Sequence, residues 1–582
     1  MTRYMVLILF VILISSAMAQ SIKPNVVLIL TDDQGWGDLS LHGNPWLETP
    51  HLDNMARDGA RLNNFYVSPL CSPTRASLLT GRNHLRTGVM SISRGLEVLD
   101  ADETTLAELF KANGYTTGIF GKWHNGQHYP NRPNDQGFDE FLGFCAGHWS
   151  NYFNTTLEHN GTLVKTQGFI ADVLTDAALQ FIESNRYNRF FCYIPFNTPH
   201  SPHQVPDKYF DKYKAKGLDN ELACVYGMVE NIDDNVGRIL SCLKQRGLEK
   251  NTIIVFLSDN GPNGIRYNGN MKGIKGSVHE GGVRVPCFIM WKDTIRPGTI
   301  IQSLSAHIDI YPTLLDLCQL TPAPAKTIDG LSLAPLIVEG EESVAVDRNI
   351  FTHVNFMDLP ITPNSGGFRN KQYRFVFEKG KPQLYDLLQD PGEGKDVSQD
   401  KSEQTKRFLQ EYQQWFAQSI EGVHYERPIV LTTKGVELPV YEAHVSAGMT
   451  FKEGHGWAHD WVDKWNGTKD SLFWEIDCHK AGSYSIEMDY LCKTSDIGST
   501  IECSIGKEKR EVTITQASFS RQVPSPDRVP RKEAYEMDGW KSLRIGTFAI
   551  SEGKHSVRMR ALKIEHRNVA EIRGLRLRFA KE

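Results

Sequence analysis

No apolar run in this chain of 582 residues is long enough for a membrane-spanning helix, which takes ~20 residues. A transmembrane anchor is therefore not expected. Cysteine is scarce: ten residues at this length exclude a disulfide-stapled scaffold. An excess of charge of one sign is also missing. Sixty-four Lys and Arg stand against 69 Asp and Glu, a formal net of -5, so the basic stripe of a nucleic-acid binder is not expected. No low-complexity tract or solenoid-length repeat interrupts the chain. What remains is an ordinary globular composition, 40% hydrophobic, enough for a sizeable core.

The first residues carry a signal of their own. Arg3 supplies a positive charge, an apolar run follows from Met5 to Ile14, and Ala17-Met18-Ala19 precedes Gln20. Basic region, short apolar region and small-residue cleavage site, in that order, describe an export signal over residues 1–19. The expected location is periplasmic or secreted, and export permits disulfides.

Two continuous apolar runs, Asn25 to Leu30 and Thr252 to Leu257, read as buried parallel strands. Tyr115 to Phe120 and Phe190 to Phe196 look like further strands. Helical patterns lie between them at Thr105 to Asn113, Ile170 to Ser184 and Leu222 to Arg246. That alternation predicts an α/β sheet covered by helices on both faces. The texture changes around 415–440. From Leu472 onward, short alternating segments such as SLFWEID and SYSIEMDYL predict an antiparallel β-sandwich. The expected organisation is 1–19 signal, 20–425 α/β unit and 426–582 sandwich. Trp457, Trp461, Trp465 and Trp474 in the last unit read as either core filling or a carbohydrate platform, with packing favoured for most of them.

Asp32 and Asp33 directly follow the first strand, and Asp259 and Asn260 directly follow the strand ending at Leu257. One such pair alone is more often a turn former. Two pairs at the carboxyl ends of strands, where ligands of open α/β sheets bind, suggest a shared oxygen-ligand site for Ca²⁺ or Mg²⁺.

The run Cys71-Ser72-Pro73-Thr74-Arg75, continuing to Thr80-Gly81-Arg82, resembles the signature of the formylglycine-dependent sulfatases. Gly121-Lys122-Trp123-His124, Thr198-Pro199-His200, Ser258-Asp259-Asn260-Gly261 and the block from Lys275 to Pro286 match that family in order. The resemblance covers roughly residues 23–420. It implies a large mixed sheet sandwiched by helices, of the alkaline phosphatase and sulfatase type. It also implies that Cys71 is converted to formylglycine (3-oxoalanine) by a formylglycine-generating enzyme. A hydrated aldehyde offers one hydroxyl to attack sulfur, giving a covalent sulfo-enzyme, and a second to expel sulfate. By the same resemblance, Asp32, Asp33, Asp259, Asn260 and the residue-71 oxygen bind Ca²⁺, with Mg²⁺ as the alternative. Arg75 holds the hydrated aldehyde, and Lys122 and Lys275 bind sulfate oxygens. His124 accepts a proton during release, and His200, which also touches substrate, protonates the departing alcohol. His148 is a further substrate-contact candidate. Pro73 suits an early helical position, placing Cys71 at a helix start, a ready anion site.

The expected activity is hydrolysis of sulfate esters on a sulfated polysaccharide or its oligosaccharides, algal (ulvan or carrageenan) or glycosaminoglycan. The competing readings are a small-molecule arylsulfatase, a phosphomonoesterase or phosphonate hydrolase of the same superfamily, and a catalytically dead carbohydrate-binding protein.

Overall fold

The computed structural model describes residues 23–321, 326–340 and 347–580. The expected export signal lies outside these residues. Among the described residues no helix is long and apolar enough to cross a membrane.

The main sheet has ten strands. In chain order they are β1 (Asn25–Thr31), β2 (Ala60–Leu62), β3 (Thr116–Lys122), β4 (Glu140–Phe144), β5 (Thr156–His159), β6 (Thr162–Lys165), β7 (Phe190–Pro195), β8 (Thr252–Ser258), β9 (Cys287–Met290) and β10 (Thr299–Ile301). Their order across the sheet is β10-β2-β9-β8-β1-β7-β3-β4-β5-β6. The centre, β8-β1-β7-β3-β4, is parallel. Antiparallel pairs flank it on both sides, β9 on β8 and β5 on β4. Every side chain of β1 and β8 is buried, as their unbroken apolar runs require of strands covered on both faces.

Two hydrophobic clusters sandwich the sheet. One packs α2 (Ile170–Ser184) and α3 (Asn220–Gln245) against Val27, Ile29 and Phe256. The other packs α1 (Cys71–Thr80) through Leu78 and Leu79 against Val26, Leu28 and Val255. Gly121, at φ +144°, sits where β3 meets β7; a Cβ there would lie 2.0 Å from the Pro195 carbonyl oxygen. Only glycine permits that approach, and it sets the position of Lys122 at the strand end.

A four-stranded antiparallel sheet (Ile350 to Asp386) and the helix Ser402–Ile420 complete this lobe. Val354, Val376 and Tyr385 of this part pack on Leu70, the residue before Cys71.

From Ile429 onward two six-stranded sheets stack face to face. Five short early strands, Ile429–Leu431, Val436–Pro439, His444–Val445, Met449–Phe451 and Val462–Trp465, precede the strands read from the alternating pattern. They have too few residues for a period of two to show. Trp461, Trp465 and Trp474 are buried in the shared core, and Trp457 stacks on His455 with ring centroids 4.3 Å apart. The tryptophans therefore form no platform row. None of the ten cysteines is in a disulfide, and all but Cys242 are buried.

The sandwich docks on the α/β lobe through half-buried polar groups. His128 Nε2 lies 2.8 Å from Glu442 Oε2, Gln127 Nε2 donates to Tyr441 OH at 2.9 Å, and Arg427 Nη1 donates to the Val98 carbonyl at 3.0 Å. Glu97 is buried in the same cluster. Burial, reinforced by the charge of Glu442, pushes its carboxyl from 4.5 up to about 8. Burial works against a charged His128 ring, but Glu442 outweighs it and raises that pKa above 6.5. Both groups hold protons more tightly folded than unfolded, so stability falls as pH rises. The His128 contribution is complete below 6.5 and is lost as pH climbs through its folded value. The Glu97 penalty grows from pH 4.5 to about 8. Glu97→Gln is expected to be more stable than the wild type above pH 8, with the gap closing toward pH 5. Thermal unfolding midpoints across that range check it, and parallel curves for the two proteins would remove Glu97 as the source.

Candidate active site

Four neighbouring strands end at one place. β8 delivers Asp259 and Asn260, β1 delivers Asp32 and Asp33, β7 leads into the loop carrying His200, and β3 ends on Lys122 with His124 just beyond. The register Thr31↔Ser258 sets the two acidic pairs side by side. The Asp32 N–H is fixed by the Thr198 carbonyl at 3.1 Å. Helix α1 points its first residue, Cys71, into the same spot. All ten residues of α1 are buried, and no side chain caps its N-terminus. A buried helix start needs partners for its first N–H groups, and an anion supplies them.

The charges interlock. Lys122 Nζ lies 2.6 Å from Asp32 Oδ2, Lys275 Nζ 2.6 Å from Asp33 Oδ1, and Arg75 Nη2 2.7 Å from Asp259 Oδ2. Arg75 Nη1 also donates to the Lys122 carbonyl at 2.8 Å. As placed, Arg75 braces Asp259 and the end of β3. Burial pushes the Asp259 carboxyl up, the charge of Asp32 adds to it, and the pKa reaches about 7. Burial opposes ionisation of Asp32 too, but Lys122, His200 and Arg75 overcome it and hold that carboxyl low. Burial also raises the Cys71 thiol, against the pull of Lys122 and Lys275. A nucleophilic cysteine needs the opposite shift.

The group fits a divalent cation. Asp32 Oδ1, Asp33 Oδ2 and Asn260 Oδ1 are buried without a hydrogen-bond partner. Asp32, Cys71 and Asp259 each offer a ligand atom, all within 4.8 Å of one another. Oxygen atoms that are neither solvated nor paired are costly unless a cation takes them.

The two histidines differ. His124 Nε2 donates to the Ile92 carbonyl at 2.8 Å, leaving a buried Nδ1 without a partner. Burial and the nearby Lys122 keep its ring neutral. His200 Nδ1 donates to the Ser201 carbonyl at 2.6 Å, so its Nε2 is the nitrogen turned to the cluster, 3.8 Å from Asp33 Oδ2. His148 is buried beside His459, ring centroids 5.4 Å apart, and follows Gly147, whose backbone packs on the His124 ring; burial, then His459, His200 and Lys122, lower its pKa. His279 and His307 are engaged elsewhere, on Glu393 and on the Tyr66 carbonyl. Sequence reading passed over Arg266, whose Nη2 holds the Asp33 carbonyl at 2.7 Å and, together with Nε, clamps the Asp38 carboxylate. No motif marks it.

A parallel-centred α/β sheet with acidic and basic groups converging on a helix start, beyond its strand ends, defines a hydrolase of anionic esters. The family profile described as Sulfatase matches residues 24–320, and the profile described as N-sulphoglucosamine sulphohydrolase, C-terminal, matches 274–418. The chain belongs to the sulfatase family and is a sulfuric ester hydrolase. It is 36% identical over 365 residues to N-acetylgalactosamine-6-sulfatase of Mus musculus, covering 56% of this chain and 68% of that protein. It is 30% identical over 449 residues to arylsulfatase A of Homo sapiens, covering 65% and 84%. Among solved structures, Ps i-CgsB in complex with k-i-k-neocarrahexaose aligns at a TM-score of 0.64 with 29% identity, covering 70% of this chain and 95% of that one.

Proposed function

We propose that this sulfatase is exported and removes sulfate from a sulfated polysaccharide or its oligosaccharides, with formylglycine at position 71 and Ca²⁺ as its cation. In this reading residues 20–425 carry the chemistry and 426–582 form an added sandwich. The observation that carries the reaction is the convergence of Asp32, Asp33, Asp259 and Asn260 on the residue-71 end of α1, with basic side chains on every side. The substrate class rests on the oligosaccharide held by the aligned Ps i-CgsB and on the galactosamine sulfatase among the relatives.

Asp32, Asp33, Asp259, Asn260 and the residue-71 oxygen would hold the cation, whose charge offsets that of the sulfate. The aldehyde hydrate at position 71 supplies the attacking oxygen. Lys122 and Lys275, paired with Asp32 and Asp33, face the sulfate oxygens and add positive charge where the transition state is negative. Arg75 keeps Asp259 in place. His200 gives the proton on Nε2 to the alcohol oxygen as the S–O bond breaks, and Nδ1 of His124 takes a proton from residue 71 during release. His148 bounds the sugar side of the pocket.

The test is inorganic sulfate release from algal and animal sulfated oligosaccharides and from an aryl sulfate. The protein is co-produced with a formylglycine-generating enzyme, and Cys71→Ala serves as the control. Release from a sugar sulfate, absent in the control, is the expected result. Release from the aryl sulfate alone would overturn the carbohydrate assignment. Phosphate release with no sulfate release would overturn the reaction.

A further inference from the structure

The loop that carries His200 is held from outside by the sandwich. The long connection between the strands Glu508–Thr513 and Lys541–Ile550 crosses onto the α/β lobe. There the Arg528 N–H donates to the His203 carbonyl at 2.9 Å, and its Nη2 to the Val205 carbonyl at 3.0 Å. Gln204 Nε2 donates to Asp527 Oδ1 at 2.7 Å, while Gln204 Oε1 accepts the Tyr152 N–H at 2.8 Å. Arg531 locks Asp527 at 2.6 Å. Beside these contacts, the Ser201 hydroxyl donates to Glu533 Oε1, and the same hydroxyl oxygen lies 3.4 Å from His200 Nδ1.

We propose that Glu533 of the sandwich is a positioning residue for His200, so that the added domain is part of the active site. The inference rests on His200 being the proton donor to the leaving alcohol. A serine hydroxyl whose proton is committed to a carboxylate can only present its lone pairs to the Nδ1–H of the ring. That hydroxyl and the Ser201 carbonyl together fix which nitrogen of His200 carries the inner proton, and so leave Nε2 for the substrate. Burial tends to raise the Glu533 carboxyl, but His200 and the Ser201 hydroxyl outweigh it and keep it ionised.

Two substrates separate positioning from mere structure. A sugar sulfate expels an alcohol that must be protonated, whereas nitrophenyl sulfate expels a phenolate that needs no proton. In the full-length, converted protein, Glu533→Ala is expected to lower kcat on the sugar sulfate about tenfold with KM nearly unchanged, a part of the roughly 10²–10⁴ that a positioned acid contributes. The loss on nitrophenyl sulfate should be much smaller, and Glu533→Gln, which keeps an acceptor for Ser201, should recover most of the rate. If Glu533→Ala does not fold, Ser201→Ala breaks the same link from the other side and must show the same selectivity. Equal losses on both substrates, or none, overturn the proposal. His200→Ala is the reference: selective loss there without selective loss at Glu533 removes the positioning role alone. No selectivity in His200→Ala removes the proton-donor reading itself, and the proposal with it.

Discussion

Cys71→Ser, made in a host whose maturation enzyme acts only on cysteine, is expected to lose sulfate release by on the order of 10⁴-fold or more while staying folded. Loss of a covalent nucleophile removes rate on that scale because the remaining groups can only bind and polarise. Serine differs from cysteine by one atom and meets the same buried helix start, so the packing of α1 is unchanged. Its hydroxyl puts an oxygen near the carboxylates but cannot offer the second hydroxyl of an aldehyde hydrate, whose collapse frees the sulfate. The comparison needs the peptide mass of residue 71 in the wild type, since burial raises the pKa of an unconverted thiol and disfavours the nucleophilic thiolate. Wild-type rates in the serine variant would show that formylglycine is not the nucleophile.

Chelation is the second large effect. A chelator is expected to abolish sulfate release and lower the unfolding midpoint, and added calcium should restore both. The partnerless oxygens of Asp32, Asp33 and Asn260 and the raised Asp259 carboxyl are the costs a bound cation removes. An ion that binds only the folded state adds about 2.7 kcal/mol of stability at a hundred times its Kd. The readouts are calorimetry and sulfate release in the same buffer. Magnesium restoring both as well as calcium would replace the Ca²⁺ assignment. Full activity after the metal content is shown to be zero would remove the cation from the mechanism.

The elements that short stretches of sequence determine came out close to expectation. The apolar runs at Asn25 and Thr252 are strands buried on both faces, and the helix at Ile170–Ser184 starts and stops where its periodicity does. The motif at Cys71 begins a helix, as Pro73 allows. The sandwich was legible wherever alternation ran long enough, as in Ser471–Cys478 and Gly482–Leu491. These features depend on backbone sterics and on the period of burial, which neighbouring residues fix among themselves.

What the tertiary structure alone decided is which of these pieces meet. The order β8-β1-β7-β3 brings Asp259, Asp32, His200 and Lys122 together; family resemblance grouped them, but no local pattern states that order. Arg266 beneath Asp33 and Glu533 beside Ser201, 332 residues apart in the second case, left no mark in the sequence. The packing favoured for most of the sandwich tryptophans holds for Trp461, Trp465 and Trp474, but only the closing of two sheets settled which of them are buried. Such contacts arise from how whole layers pack, and that is set by the summed burial of the chain rather than by the residues on either side of any one position.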